Sequence, residues 1–362
     1  MHRNDERRAV PLHDEEQSAT PREIIARGAV IPAHPLALTA DRTLDERRQR
    51  ALTRYYVDAG AGGVAVGVHT TQFAIRAAGH YPEVLRMAAD EATSWSERPV
   101  ALIAGVTGRA PQALDETHLA LDTGYHAVLL NLAAWRGEAE ADILAHCRRI
   151  AAIAPVIGFA LLPAVGGMHL SYDFWRAFAE IDNVIAIKMA PFDRYRTIDI
   201  VRAVVDARAE ERIALYTGND DHIVLDLLQP FTVRRDDEMV TVHIVGGLLG
   251  QWSVWTRRAV EMFESIRRVR GREEVPSALL ALDSQLTDAN RAIYDALNDF
   301  AGCIPGCLEV LRRQGLTEGS WCLDPTEVLS EGQSADIDRV YEAYPNLNDD
   351  EFVVAHRAAW LA

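Results

Sequence analysis

The sequence predicts an α/β protein, a (β/α)8 TIM barrel followed by a C-terminal helical extension. Short apolar runs free of polar alternation recur along the chain, segments of helical period separate them, and the strand pattern stops near residue 277. Apolar runs rich in Val, Ile, Leu and Ala are what strands buried on both faces of a parallel sheet require.

Eight such runs occur, at 29–38, 63–68, 100–106, 126–132, 156–162, 184–189, 213–217 and 240–245. Helical spacing fills 44–59, 81–95, 110–123, 138–153, 172–181 and 197–207 between them. Strands follow one another roughly every 25 to 35 residues, the length of a strand plus a crossover helix. Eight successive units favour a closed barrel over an open sheet, and no G-x-G-x-x-G follows the first strand. The domain organisation expected is an N-terminal extension at 1–27 with a short helix around 22–27, a barrel at 28–276 and a helical region at 277–362. In the last, 279–286, 292–300, 307–314 and 337–344 have helical apolar spacing.

Composition narrows the function classes. The chain has 362 residues, 49% hydrophobic and 25% charged, ordinary values for a well-buried globular protein. A formal net charge of −16 argues against nucleic acid and anionic membrane as partners, since both are polyanions. No apolar run follows the charged N-terminus and none elsewhere is long enough to span a bilayer, so a soluble, cytoplasmic protein is expected. Cys147, Cys303, Cys307 and Cys322 lack zinc-finger spacing and are expected as reduced, partly buried thiols. His34, His69, His222 and His243 lie on different strands with no H-E-x-x-H or H-x-H, so no metal and no other cofactor is expected.

Active sites of this fold gather at the carboxyl ends of the strands. Strand six reads Val184-Ile185-Ala186-Ile187-Lys188-Met189-Ala190-Pro191. A lysine there either snorkels or pairs with a carboxylate, or it is an amine whose pKa falls by desolvation, a nucleophile for carbonyl carbon. Strand two ends in Val68-His69-Thr70-Thr71-Gln72, hydroxyls that either hold a carboxylate and relay protons or cap a turn. After strand seven, Gly218 admits a close backbone approach, while Asp220 and Asp221 either bind substrate hydroxyls or cap the next helix. Gly246 and Gly247 on strand eight either present backbone N–H groups to an anion or serve as turn residues. His34 is placed near the barrel mouth by strand one, and strand five offers no titratable group.

Taken in order, Val30-Ile31-Pro32-Ala33, Thr70-Thr71, Ile103-Ala104-Gly105-Val106, Pro155-Val156-Ile157, Ile185-Ala186-Ile187-Lys188, Gly218-Asn219-Asp220, Gly247-Leu248-Leu249-Gly250 and Gly315-Leu316 resemble the dihydrodipicolinate synthase / N-acetylneuraminate lyase family over roughly residues 27–325. The resemblance implies a barrel with a helical tail and a homo-oligomer, tetramer or dimer. It also implies aldol or dehydration chemistry on a small carbonyl substrate such as a 2-oxo acid, with Lys188 forming the imine. The family's Gly-Thr-Thr-Gly-Glu falls on His69 and Thr70 without a gap, or on Thr70 and Thr71 with a shift of one. Its strand-five tyrosine, which shuttles the proton, is replaced by Phe159 or Ala160, and its synthases' carboxylate-binding arginine is absent from Val165-Gly166-Gly167-Met168. Another acid/base in place of the tyrosine, with His34 and His69 as candidates, a different imine reaction, or lost catalysis would each account for this. Two further classes stay open: a non-catalytic barrel that binds a small molecule, and a barrel enzyme with non-covalent chemistry on a phosphate-bearing substrate.

Overall fold

The computed structural model of the chain describes residues 19–362, so residues 1–18 of the expected extension lie outside the described residues. Eight parallel strands form the barrel: β1 (Val30–Pro32), β2 (Gly63–Val66), β3 (Ala101–Val106), β4 (Ala127–Leu130), β5 (Val156–Leu161), β6 (Val184–Ala190), β7 (Ala214–Thr217) and the second half of β9 (Glu238–Leu249). The sheet runs from β1 through β9, β7, β6, β5, β4 and β3 to β2. The parallel bridge between Ala33 and Ala65 then closes it, with Gly62 N–H donating to Val30 O at 3.0 Å and His34 N–H to Ala65 O at 2.8 Å.

Alternation along the strands divides two apolar layers. Ile31, Ala65, Ile103, Leu129, Ile157, Phe159 and Leu248 fill the barrel interior. Val30, Val64, Leu102, Val128, Val156 and Ile187 face the surrounding helices. The helix α1 (Pro21–Arg27) plugs the end opposite the site, capped by reciprocal hydrogen bonds between Thr20 and Glu23. Its Ile25 belongs to the interior cluster, and Tyr216 on β7 donates to Ile25 O at 2.8 Å.

Around the barrel lie α2 (Glu46–Ala59), α3 (Tyr81–Trp95), α4 (Ala110–Asp122), α5 (Glu140–Ala151), α6 (Tyr172–Ala179), α7 (Arg194–Asp206), α8 (Ile223–Leu228) and α9 (Thr256–Val269). The expected strands all appear, most of them shorter. The first shrinks most, because beyond His34 the chain leaves the sheet. One element was not anticipated: β8 (Pro230–Arg235) pairs antiparallel with the first half of β9. The hairpin half of β9 is mostly exposed or half-buried, unlike the barrel half.

Four helices make the tail: α10 (Ser277–Ile293), α11 (Cys303–Arg313), α12 (Gln333–Ala343) and α13 (Asp350–Trp360). The helix expected at 292–300 does not form. Its first residues end α10, after which Asp295, Asp299 and Phe300 take φ values of 56°, 51° and 65°, outside the helical region. All four cysteines are free and buried.

Ile25→Ala should destabilise the protein by about 2–5 kcal/mol, since it removes a side chain enclosed by the strand ends. Chemical denaturation measures this.

Candidate functional site at the carboxyl-end mouth

Lys188 is the single lysine of the sequence; the other basic side chains are arginine. Register on β6 sets it between Phe159 of β5 and Tyr216 of β7. It is 8% exposed, and its ammonium lies 4.3 Å from the centre of the Phe159 ring. Among the described residues no carboxylate stands within ion-pair distance of it. Desolvation pushes its pKa down to about 8, against an opposing pull from the charge of Asp220.

Gly218 makes room for this side chain. A Cβ there would sit 2.6 Å from Lys188 Cε and 2.9 Å from Ala190 Cβ. The loop carrying Gly218 is held by Asp226 of α8, which accepts from Thr217 Oγ1 at 2.6 Å, Asn219 Nδ2 at 3.0 Å and Arg194 Nη1 at 2.5 Å. Asn219 Oδ1 also accepts from Phe192 N–H at 3.0 Å, tying this loop to the end of β6. Neither Asp220 nor Asp221 caps α8, whose N-cap position is His222. Asp220 instead belongs to the mouth. Burial raises its pKa to about 7, opposed chiefly by the charge of Lys188.

His69 and Thr70 sit on the far side, in the turn after β2. His69 is half-buried, and desolvation together with the Lys188 charge pushes its pKa down to about 4. Thr70 Oγ1 donates to Ala33 O at 2.7 Å, which leaves its oxygen able to accept.

Four sequence-based expectations are corrected by geometry. His34 is fully buried against α2, with Nε2 2.9 Å from Thr53 Oγ1 and Nδ1 2.8 Å from Pro35 O and 3.0 Å from Gln49 Nε2. It therefore braces strand and helix and has no nitrogen left for a substrate. Thr71 is likewise consumed by its turn, donating to His34 O and accepting from Gly67 and Val68 N–H. Gly246 and Gly247 lie inside β9, and Gly247 N–H donates to Ala29 O at 3.1 Å. A Cβ on Gly247 would meet the Trp252 indole at 2.5 Å and one on Gly246 the Ala29 backbone at 2.6 Å, so close packing explains both.

The structure also decides between Phe159 and Ala160. Phe159 points into the barrel beside the lysine, and Ala160 packs in the outer layer. No hydroxyl reaches Lys188 from strand five. Gln72 adopts φ 66°, a conformation that favours glycine. It thus takes the second glycine of the threonine pattern when Thr70 and Thr71 take the threonine places.

Two features of the site escaped the sequence reading. One is that Lys188 has no companion lysine, which a count of residue types would have revealed. The other is Tyr294 on the tail, whose hydroxyl is buried near Asp220 and has no hydrogen-bond partner. Its position 74 residues beyond Asp220 gives no sequence signal.

Fold and site together define a barrel with a buried amine at the carboxyl end of a strand, where barrel enzymes do their chemistry. The chain belongs to the Dihydrodipicolinate synthetase family, whose sequence profile matches residues 27–232. Members of the family are lyases and aldolases, and membership supports a function of that kind.

Among solved structures it is similar to the N-acetylneuraminate lyase from Fusobacterium nucleatum complexed with pyruvate, at TM-score 0.69 and 17% identity, covering 89% of this chain and 99% of that one. The dihydrodipicolinate synthase from Oceanobacillus iheyensis gives 0.70 and 16%, covering 90% and 99%. A prophage protein of the dihydrodipicolinic acid synthase family from E. coli K12, in complex with pyruvate, gives 0.72 and 18%, covering 88% and 98%. At these identities the likeness is one of fold. No curated protein matches the chain. Among the described residues no helix is long and apolar enough to cross a membrane.

His34→Ala should lower stability by about 1–3 kcal/mol, the cost of unpaired buried groups on Thr53 and Gln49, and leave the reactivity of Lys188 unchanged. Burial pushes the folded pKa of His34 down to about 4 from 6.5. Its neutral form therefore stabilises the fold above pH 6.5, and that stability is lost as pH falls toward 4. Thermal unfolding across this range, with and without the substitution, measures the difference.

Proposed function

We propose that the protein is a class I, lysine-imine lyase or aldolase acting on a small 2-oxo acid or related carbonyl compound. The observation that carries this is the sole lysine of the chain, desolvated at the carboxyl end of strand six. Arginine cannot lose its proton at working pH, whereas a buried lysine can. With a pKa of about 8, about one amine in ten is neutral at pH 7, against about one in 2,500 at an ordinary lysine pKa. That neutral amine is the nucleophile an imine requires.

In this account Lys188 attacks the carbonyl carbon, Thr70 accepts a hydrogen bond from the bound substrate or its water, and His69 stays a neutral imidazole near the reacting centre. Gly218 leaves the space that the Lys188 side chain fills. Several structurally similar proteins were captured with pyruvate, which makes it the first probe. A second account is a non-catalytic barrel that binds a small molecule, favoured by Phe159 standing where the family has its proton-shuttling tyrosine. For a phosphate-bearing substrate held at Gly218 and Gly246-Gly247, the N–H of Gly247 is not free, since it is engaged in the sheet. We further propose a homo-oligomer.

Incubation with pyruvate and a panel of 2-oxo acids and aldehydes, followed by borohydride reduction, should leave one adduct mapping to Lys188. Lys188→Arg should abolish it while the fold persists. Adduct formation should rise with pH from acid toward neutral as Lys188 loses its proton. Tight binding of a carbonyl compound without any adduct would favour the binding-protein account.

A further inference from the structure

Imine chemistry needs a group that protonates the departing hydroxyl and another, or the same one, that takes a proton from the neighbouring carbon. Strand five supplies neither, since Phe159 faces the lysine and Ala160 faces away. The loop after β7 does offer a carboxyl group. Asp220 Oδ1 is buried with no hydrogen-bond partner, a costly state unless something occupies it in function.

This carboxyl is not loosely placed. Asn290 Nδ2 of α10 holds the Asp220 carbonyl at 2.7 Å, and Thr287 Oγ1 holds the next carbonyl, of Asp221, at 2.8 Å. Tyr294, one helical turn beyond Asn290, brings its own buried, unpartnered hydroxyl close to Asp220. That hydroxyl is packed against Gly250, where a Cβ would stand 2.5 Å from it and 3.1 Å from Thr70 Cγ2. Lys188, Asp220, Tyr294 and Thr70 thus surround one end of the barrel, with two unsatisfied oxygens among them.

We propose that Asp220 is the acid/base of the Lys188 imine reaction, in place of the missing strand-five tyrosine, and that Tyr294 positions its carboxyl group. The proposal rests on the lysine-imine account above. Neutral Lys188 adds to the carbonyl carbon, and its extra N–H proton passes to the new alkoxide, giving the carbinolamine. Protonated Asp220 gives its proton to that hydroxyl, which leaves as water while the nitrogen lone pair forms the C=N bond. The Asp220 carboxylate then removes a proton from the adjacent carbon. The C–H electron pair becomes the C=C bond of an enamine, the C=N π pair returns to nitrogen, and Asp220 is protonated again. Carbonyl and amine have become enamine and water, with no change of oxidation state.

A carboxyl raised to about 7 by burial is present in both forms at neutral pH, as an acid that must also act as a base requires. His69, pushed down to about 4, has no proton to give there.

The test uses the full chain with pyruvate and two readouts, the borohydride-trapped adduct at Lys188 and the NMR-detected exchange of the pyruvate methyl protons for deuterium. Asp220→Asn should still form the adduct, more slowly, with methyl exchange lowered about 100-fold or more. Asp220→Glu should recover part of the loss in both readouts. Tyr294→Phe should lower exchange about 3- to 10-fold and shift its pH profile, because the hydroxyl stands beside the Asp220 carboxyl. Exchange in Asp220→Asn within about threefold of the parent would overturn the proposal, as would an adduct lost in Asp220→Asn and not restored by Asp220→Glu. No adduct from the parent protein with any carbonyl compound would instead refute the imine account, and the role of Asp220 with it.

Discussion

An ammonium group buried in an apolar barrel is the constraint around which this site is built. Water would solvate that charge strongly, and the barrel interior does not. Phe159 offers only the face of its ring, Asp220 only its charge from beyond ion-pair distance, and the remainder of the imbalance appears as a lowered pKa. The cost of desolvation is thereby converted into a nucleophile. Everything near Lys188 follows from keeping it there, including the bare Cα of Gly218 under its side chain and the Asp226 cluster that fixes the loop bearing that glycine.

The tail is part of the same construction. α10 holds the loop after β7 through Asn290 and Thr287, and Asp283 Oδ1 accepts from Leu225 N–H at 3.1 Å, so α8 is tied to it as well. Phe300 of the tail meets Phe192 just beyond β6, with ring centres 5.6 Å apart. Gln72, after the threonine turn, accepts from Leu323 N–H at 2.7 Å. Both sides of the mouth, the lysine side and the threonine side, are therefore fixed by residues that lie more than fifty positions further along the chain.

The barrel was legible because strands enclosed on both faces must be apolar throughout, and β3, β5 and β6 are buried along nearly their whole length. Lys188 was legible for the converse reason, as a charge inside such a run. The hairpin of β8 was not, since its residues alternate and follow α8 almost directly. Histidines were the least legible. His34 and His69 both follow strand ends, yet the first turns toward α2 and the second toward the lysine, a difference set by where each backbone leaves its strand. Glycines misled in a similar way: Gly246 and Gly247 answer to the Ala29 backbone and the Trp252 ring, neighbours that spacing along the chain does not reveal. Asp220 was read as a hydroxyl ligand or a helix cap, because the tyrosine behind it comes from another part of the fold.

The central claim is that Lys188 is a desolvated amine able to react near neutral pH. Competitive labelling with trace acetic anhydride from pH 6 to 11, read at the peptide level, measures its ionisation directly. No other lysine competes for the reagent. The account predicts a titration midpoint near 8 for Lys188, and a midpoint at the ordinary lysine value of about 10.4 would contradict it.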